Sequence, residues 1–419
     1  MRIYIWHGYL LGGTGSNEYT RALAKSLSQQ GHDVTVFSQE PNPAEFDLAG
    51  AHTIRPVLPG PLPVFVLDGY ADASPALLTA MDRSEAEAFV AANAAAIREQ
   101  GPADLLISNH VLLGGPVGAA SGLPYIVKAH GSELEFAMRE RSDLCAWASD
   151  SLQDALAVVA GSAHVEGVLR ELLTLPQTQI VQIPPGVDTD QMAPATPDDA
   201  LQQLIAECEQ DVPNPADTHN ERLPDSNNAR RLTRFFADLK PNDRPVVYVG
   251  KLSQEKGVDL LLRAAAALNL PTLVVGFGPA RPELESLAGP RTLFTGPLQH
   301  RHLCHLWPLM SASVVPSVFP EAFGMVAAEA AACGCPPLVA YHSGLAEIAD
   351  GLATRYPEGL ADLVSFRSGD EAALSDKLAD LTSLPADQTT AVRAAARQTA
   401  VDLWSWSSVA QRLVNLKAG

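Results

Sequence analysis

Two acids stand eight residues apart in the stretch "PSVFPEAFGMVAAEAAACG", at Glu321 and Glu329. Pro320 favours an extended chain before Glu321, and Gly324 permits a close backbone approach just before a helix predicted to begin at about Met325. Glu321 then lies in the loop before the helix, and Glu329 lies about one turn inside it. With a rise of about 1.5 Å per residue, the two carboxylates are at most about 12 Å apart.

This spacing suits contacts along one extended ligand. It is of the order of the span from sugar to ribose across a pyrophosphate. The free N–H groups of the first helical turn lie between the two acids and can bind phosphate. A carboxylate accepts two hydroxyl hydrogen bonds, which makes it a good ligand for a sugar diol. A glycoside hydrolase or phosphorylase, which stays an alternative, would need its two acids about 5 to 10 Å apart across one bond.

Two glycine-containing turns could bind the anionic part of such a ligand. "GGTGSNEYT", with Gly13 and Gly15, follows the first predicted strand and opens a helix, where N–H groups and the helix dipole favour an anion. "VGKLSQEKG" repeats the arrangement, and its Lys251 and Lys256 would suit a diphosphate. Neither turn is a complete dinucleotide fingerprint or a P-loop. A plain turn and solvated lysines would explain these residues if they stood alone.

Composition narrows the classes of partner. The chain has 419 residues and a formal charge of −19, and residues 1 to 192 contain 22 acidic against 10 basic residues. Such a charge disfavours nucleic acid and anionic membrane surfaces. No segment reaches the ~18 apolar residues of a membrane-spanning helix, and the first residues lack a signal-peptide pattern, so we expect a cytoplasmic protein without stable membrane insertion. Five cysteines do not form a disulfide framework.

The elements that must position these residues form two series. Short β-branched runs alternate with helical stretches, which is typical of parallel sheets covered by helices on both faces. The pattern predicts an α/β chain with two doubly wound domains, at 1–192 and 244–400. Residues 193–243 are rich in Pro, Asn and Asp, and we interpret them as a polar surface insertion or linker. The final stretch, 401–419, is predicted to be helical.

With these motifs in order, the chain resembles the retaining GT-B glycosyltransferases of family 4. The resemblance rests on "GGTGSNEY", "AHGSE", "IPPGVDTDQM", "VGKLSQEKG", "VVGFGP", "FTGPL" and the long stretch from "PSVFPEAFGM" to "YHSGLAEI". It implies two Rossmann-like domains facing an interdomain cleft. The acceptor would bind the N-terminal domain and the nucleotide sugar the C-terminal one, and helix 401–419 would pack back on the N-terminal domain.

The resemblance also implies roles for residues at matching positions. Glu329 would bind the ribose hydroxyls and Glu321 the donor sugar. Lys251 and Lys256 would neutralise the diphosphate. The family usually has arginine where Lys251 stands; an arginine can form two parallel hydrogen bonds to a phosphate, whereas a lysine offers a single compact charge. His130, with Glu321 and Lys256, would act at the reaction centre. The implied donor-binding residues are Gly15, Gly250, Lys251, Lys256, Gly276, Leu298, Glu321, Phe323, Gly324, Met325, Val326 and Glu329.

The substrates are less determined than the reaction. UDP-linked and GDP-linked sugars both fit the motifs. Asn17, His130, Glu133 and Glu135 are candidate acceptor ligands, and the two glutamates suggest a small polar or cationic acceptor, as in natural-product or cell-surface glycoside synthesis. We expect no cofactor beyond the donor substrate and no metal, since no Asp-x-Asp stands at a strand end; the "DTD" at 188–190 lies in a linker after the last strand of the first domain. A two-lobed nucleotide-sugar-binding protein without turnover is the second alternative, and the sequence predicts no oligomeric state.

Overall fold

The computed structural model of the protein describes residues 1–12, 15–65, 74–215, 217 and 219–417. The chain divides into two compact units. Unit 1 comprises Met1–Gly186 and Trp406–Gly419, and unit 2 comprises Val187–Ser405. In each unit, Val- and Ile-rich strands are buried on both faces, as expected for parallel sheets covered by helices.

Unit 1 is built on a seven-stranded sheet of order β3-β2-β1-β6-β7-β8-β9, in which every described pairing is parallel. A separate parallel pair joins β4 and β5. The strands are β1 (Arg2–Trp6), β2 (Asp33–Phe37), β3 (His52–Ile54), β4 (Leu62–Val64), β5 (Pro75–Leu77), β6 (Leu105–Asn109), β7 (Tyr125–Lys128), β8 (Ala157–Ala160) and β9 (Ile180–Gln182). The α-helices are α1 (Gly15–Gln29), α2 (Arg83–Glu99), α3 (Val111–Ser121), α4 (Ser142–Leu152), α5 (Ala163–Leu172) and, from the chain's end, α15 (Trp406–Asn415).

Helix α15 packs against α1 in unit 1. The ring of Trp406 lies 5.1 Å from the ring of Tyr19, centroid to centroid. Val409, Ala410 and Leu413 of α15 are fully buried in the same core cluster as Leu23 of α1. The end of the chain is therefore part of the hydrophobic core of unit 1.

Unit 2 contains a six-stranded parallel sheet of order β12-β11-β10-β13-β14-β15. Its strands are β10 (Val246–Val249), β11 (Thr272–Val275), β12 (Thr292–Gly296), β13 (Ala312–Val315), β14 (Pro337–Ala340) and β15 (Ser365–Phe366). Its α-helices are α6 (Pro197–Glu209), α7 (Asn228–Ala237), α8 (Val258–Ala267), α9 (Arg281–Leu287), α10 (His300–Leu306), α11 (Met325–Ala332), α12 (Ser343–Ala353), α13 (Glu371–Thr382) and α14 (Ala386–Thr399). The predicted fold class, two doubly wound α/β domains, is confirmed.

The segment 193–243 differs from the predicted surface linker. It carries α6 and α7, and Leu204, Cys208 and Leu232 are buried in the core of unit 2. Its Asp225 receives two hydrogen bonds from Arg281, at 2.9 and 2.6 Å. The polar composition concealed this packing because only a few apolar side chains in each helix face inward.

The strand orders show where ligands should bind. In doubly wound sheets, ligands bind outside the carboxyl ends of the strands, at the point where the strand order reverses. That point lies between β1 and β6 in unit 1 and between β10 and β13 in unit 2. The loops that leave these four strands therefore carry the candidate site residues.

Candidate functional site

In unit 2, the loops that follow β10 and β13 meet through an ion pair. Lys256 closes a short 3-10 turn after β10, and its Nζ contacts Oε1 of Glu321, in the loop after β13. The Lys256 and Glu321 side chains are 31% and 21% exposed. Helix α11 begins at Met325, as the sequence predicted, with Gly324 at φ 110° as its N-cap. The pair of opposite charges thus stands beside a helix N-terminus, which favours anions.

A second loop fixes the backbone of Glu321. Its N–H donates to Ser343 Oγ at 2.9 Å, and its carbonyl oxygen accepts from the N–H of Gly344 at 3.0 Å. Ser343 Oγ lies 3.0 Å from Nδ1 of His342. Ser343 has φ 47°, a conformation that side-chain-bearing residues rarely adopt. From the sequence, no role was predicted for Ser343 or His342. The only indication of one was that both lie in the motif "YHSGLAEI".

Glu329 lies inside α11, where the sequence placed it. The residue is 8% exposed, and its Oε1 lies 3.1 Å from Nε2 of His300, the first residue of α10. One carboxylate oxygen therefore already has a protein partner. The N–H groups of Met325 and Val326, in the first turn of α11, have no acceptor within an α-helix.

Two of the predicted donor-binding glycines of unit 2, Gly250 and Gly276, allow their backbone segments to lie very close together. Gly250 directly follows β10 with φ 157°, and Gly276 directly follows β11 with φ 144°. A Cβ on Gly276 would lie 1.8 Å from the carbonyl oxygen of Gly250, so only glycine fits there. Lys251 is exposed next to this close approach of the two segments, and Leu298 is buried after β12. These residues share the carboxyl edge of the sheet with Lys256.

In unit 1, the predicted acceptor residues Asn17 and His130 have protein partners. Asn17 Oδ1 lies 2.7 Å from Nε2 of His7, and its Nδ2 donates to the carbonyl of Gly12. Nε2 of His130 lies 2.7 Å from Oδ1 of Asn109, at the end of β6. Burial, followed by the nearby His110, holds the pKa of His130 well below its ordinary value, so the ring is neutral.

The first glycine turn is only partly described. Gly15 is the first residue of α1, and a Cβ there would meet nothing within 4 Å. Gly13 lies outside the described residues. Among the described residues, no contact at Gly15 requires glycine.

Glu133 and Glu135, the two predicted acceptor glutamates, also have protein partners. Glu133 is fully buried; its Oε2 lies 3.1 Å from Nδ1 of His110, and its Oε1 accepts from the N–H of His130 at 3.0 Å. Burial opposes ionisation of Glu133, but His110 and these hydrogen bonds hold its pKa below the ordinary value. Glu135 forms an exposed pair with Arg139, at 2.6 and 2.8 Å. The prediction of a cationic acceptor rested on these two carboxylates, and both are paired with other residues of the protein.

His7 and His110 are candidate site residues that sequence reasoning missed. They follow β1 and β6, the two strands at which the sheet order of unit 1 reverses. Both are buried, and their rings stack at 6.1 Å between centroids. His7 and His110 are too far apart in the sequence to form a local motif. Only the strand order, which places β1 beside β6, could have indicated that the two histidines lie together.

Two glycosyltransferase family models match the chain. Residues 243–383 match the family model described as glycosyl transferases group 1, and residues 13–191 match the model of glycosyltransferase family 4. Together the two matches cover more than half of the chain. The chain belongs to the family 4 (group 1) glycosyltransferases. The resemblance inferred from its motifs is confirmed.

Known proteins resemble this glycosyltransferase in sequence or fold over nearly its whole length. It is 28% identical to the D-inositol 3-phosphate glycosyltransferase of Mycobacterium bovis, over 96% of this chain and 78% of the relative. Its fold matches sucrose-phosphate synthase from Thermosynechococcus elongatus, with a TM-score of 0.64, 21% identity and coverage of 100% and 98% of the two chains. It also matches the Anabaena protein Alr3699/HepE, solved in complex with UDP, with a TM-score of 0.67, 15% identity and full coverage of both chains. These matches show the GT-B fold.

One group of side chains in the described part of the glycosyltransferase has the composition of a metal site. The ligand atoms of Cys208, Asp211 and His302 lie within 4.8 Å of one another. Nδ1 of His302 accepts from the N–H of Gln299, so the neutral ring carries its proton on Nε2, 3.0 Å from Asp211. Burial raises the pKa of the Cys208 thiol to about 12. Since the lone pair of the His302 ring and a carboxylate oxygen of Asp211 are already engaged within the protein, we assign this group no metal.

No helix in the described ranges is both long enough and apolar enough to cross a membrane.

The buried histidines of the glycosyltransferase should make its stability depend on pH. Burial, and then His110, lower the pKa of His7 to about 3, whereas an unfolded histidine has a pKa of about 6.5. The stabilisation is complete above the unfolded pKa and is lost as the pH falls towards 3. Between pH 7 and pH 5, His7 should account for a loss of about 2 kcal/mol in the free energy of unfolding.

Urea denaturation at the two pH values measures this contribution. The variant His7→Gln keeps an N–H that can reach Asn17 but does not titrate. We expect the wild type to lose about 2 kcal/mol more than the variant between pH 7 and pH 5. Equal losses would show that His7 is protonated in the folded state.

Proposed function

We propose that the protein transfers a sugar from a UDP- or GDP-linked donor to a small polar acceptor, with retention of configuration at the anomeric carbon. The observation that carries the proposal is the contact of Lys256 with Glu321 beside the N-terminus of α11. A cation, an anion-binding helix end and two carboxylates follow one another at the carboxyl edge of the sheet. This is the sequence of groups that a nucleoside diphosphate sugar requires.

Each part of the donor has a chemically matched partner in unit 2. Lys256 and the N–H groups of Met325 and Val326 bind the diphosphate. Glu329 binds the ribose diol through the carboxylate oxygen that His300 does not contact, since Oε1 is the atom paired with His300. Glu321 binds a hydroxyl of the donor sugar, and the hydrogen bond of its backbone N–H to Ser343 keeps it in place.

The chemistry depends on stabilising the leaving group. As the bond between the anomeric carbon and the diphosphate breaks, negative charge develops on the phosphate oxygen, where Lys256 and the helix N-terminus are preorganised to receive it. The acceptor hydroxyl attacks the same face of the sugar, and its proton passes to the departing phosphate. The new glycosidic bond therefore has the configuration of the donor bond, and the step requires no metal.

The comparisons indicate which substrates to examine first. The Anabaena relative has been solved with UDP-glucose, and the mycobacterial relative is named for D-inositol 3-phosphate. We therefore place UDP-glucose first among donors and inositol phosphates first among acceptors. The carboxylates of Glu133 and Glu135 do not favour a cationic acceptor, because both have protein partners.

A two-stage experiment tests the proposed function. Thermal shift with UDP-glucose, UDP-N-acetylglucosamine, GDP-mannose and ADP-glucose should identify one donor that stabilises the protein. That donor is then incubated with D-inositol 3-phosphate, inositol, glucose and an aminocyclitol, and product is detected by mass spectrometry. Binding without product from any acceptor would favour a sugar-nucleotide-binding protein, and a requirement for free phosphate would favour a phosphorylase. Either result would overturn the proposal.

Replacing Glu329 by glutamine should weaken donor binding. The amide occupies the same space but lacks the charge that strengthens a hydrogen bond to the ribose, so we expect a rise of about tenfold in the KM for the donor. The value of kcat should change little, because the ribose contact is the same in the ground state and the transition state. Initial rates over a range of donor concentrations measure both constants.

Glu358 offers a matched control for this change, since it is an exposed glutamate of the same unit. Glu358→Gln should leave the donor KM unaltered. An unchanged donor KM in Glu329→Gln would remove Glu329 from the ribose site.

A further inference from the structure

His110 occupies an unusual position at the carboxyl end of β6. It is 2% exposed and has φ 66°, which is uncommon for a residue with a side chain. Its backbone N–H donates to the carbonyl of Lys128 at 2.8 Å, and its carbonyl accepts from Gly114, in the first turn of α3. The surrounding structure therefore holds the residue in this conformation. Such strain, where it persists, is concentrated at functional sites.

Glu133 determines which ring nitrogen of His110 carries a proton. The ionised carboxylate can only accept, so Nδ1 of His110 carries a hydrogen and donates it across 3.1 Å. Nε2 is then the ring nitrogen that Glu133 does not engage. This is the arrangement by which a buried carboxylate orients a catalytic histidine in hydrolases.

Nε2 of His110 is buried and has no hydrogen-bond partner among the described residues. The neighbouring His130 differs in this respect, because Asn109 occupies its Nε2. The His110 ring is otherwise surrounded by aromatic rings, with centroids at 5.3 Å for Tyr9, 5.1 Å for Phe65 and 4.7 Å for His130. Aromatic side chains with a few polar atoms among them are typical of the lining of a small-molecule site.

We propose that His110 binds the acceptor, with its Nε2 hydrogen-bonded to a hydroxyl of a polyol ring such as a sugar or cyclitol. The rings of Tyr9 and Phe65 supply the apolar surface for the carbon face of that ring. Glu133 is a positioning residue that acts through His110. The inference rests on the proposed function and deepens it by naming the acceptor class and the residue that recognises it.

The variant His110→Asn isolates the proposed contact. Asparagine tolerates a positive φ and places an amide N–H where Nδ1 donates to Glu133, but it has nothing at the position of Nε2. We expect the acceptor KM to rise about tenfold or more. The donor KM and the affinity for the free nucleoside diphosphate should stay within twofold of the wild type, which a merely structural defect would not spare.

The variant His110→Gln serves as the second measurement, because its amide reaches towards the position of Nε2. We expect it to recover part of the acceptor affinity lost in His110→Asn. The acceptor used is whichever of D-inositol 3-phosphate, inositol and glucose the wild type glycosylates fastest.

The outcomes separate this inference from the proposed function. Transfer by the wild type together with an unchanged acceptor KM in His110→Asn would overturn the role of His110 alone. If both variants unfold, acceptor protection of the wild-type His110 ring from diethyl pyrocarbonate supports the contact, and equal modification with and without acceptor overturns it. If the wild type transfers to no acceptor, the proposed function fails, and the role of His110 fails with it.

Discussion

Replacing Lys256 by methionine should lower kcat for sugar transfer by about 10² to 10³-fold. Methionine retains most of the length of the side chain but removes the charge that contacts Glu321. In the proposed reaction, that charge stabilises the diphosphate as it leaves, and a preorganised group of this kind contributes about this factor. Removing it also leaves Glu321 to repel the anion. The measurement is the initial rate of product formation at saturating donor.

Lys251 is the control for this prediction, since it lies in the same loop but is exposed. Lys251→Met should change the donor KM more than kcat and should cost less than Lys256→Met. A Lys256→Met enzyme that retains wild-type kcat would show that the leaving group is stabilised elsewhere.

Replacing Glu321 by alanine should abolish transfer, with a loss of about 10³-fold in kcat, while leaving UDP binding measurable by calorimetry. The change removes both the hydrogen bond to the donor sugar and the partner of Lys256. UDP lacks the transferred sugar that Glu321 contacts in the proposed complex, so its affinity should change far less than the rate. The combination of a lost rate and a retained affinity distinguishes this effect from unfolding.

Glu255 provides the matched variant for Glu321→Ala. It precedes Lys256 in the same turn, and its side chain is exposed. Glu255→Ala should transfer at close to the wild-type rate. Full activity in Glu321→Ala would remove Glu321 from the site and would leave the ion pair with a structural role only.

Much of unit 2 could be predicted because its signals are local. Pro320 and Gly324 indicated a loop followed by a helix, and α11 begins at Met325. The runs "RPVVYVG" and "PTLVVG" are short, β-branched and glycine-terminated, and both are parallel strands. The alternation of such strands with helices then required a doubly wound sheet.

The arrangement in unit 1 depends on contacts between residues far apart in sequence. His110 and Glu133 are 23 residues apart and meet because β6 and β7 are neighbours in the sheet. From the sequence, Glu133 was an acid in an acidic domain, and nothing local indicated that it is fully buried. The positive φ of His110 was equally invisible, since no glycine marks that turn.

The segment 193–243 shows a second reason for an incomplete prediction. Its Pro-, Asn- and Asp-rich composition favours loops, yet α6 and α7 each bury apolar side chains in the core of unit 2. Asp225 binds both Arg281 and Arg231, so part of the polar character serves ion pairs rather than solvation. Composition records how many polar residues a segment has but not which of them face a partner.

Proton NMR of a single reaction tests the central claim most directly. The donor selected by thermal shift, with its α-linked sugar, is mixed with enzyme and acceptor, and the anomeric signals are followed with time. The account predicts that the donor signal falls as an α-linked glycoside appears in equal amount, and that Lys256→Met slows both changes together. A β-linked product, or release of free sugar without any glycoside, would contradict it.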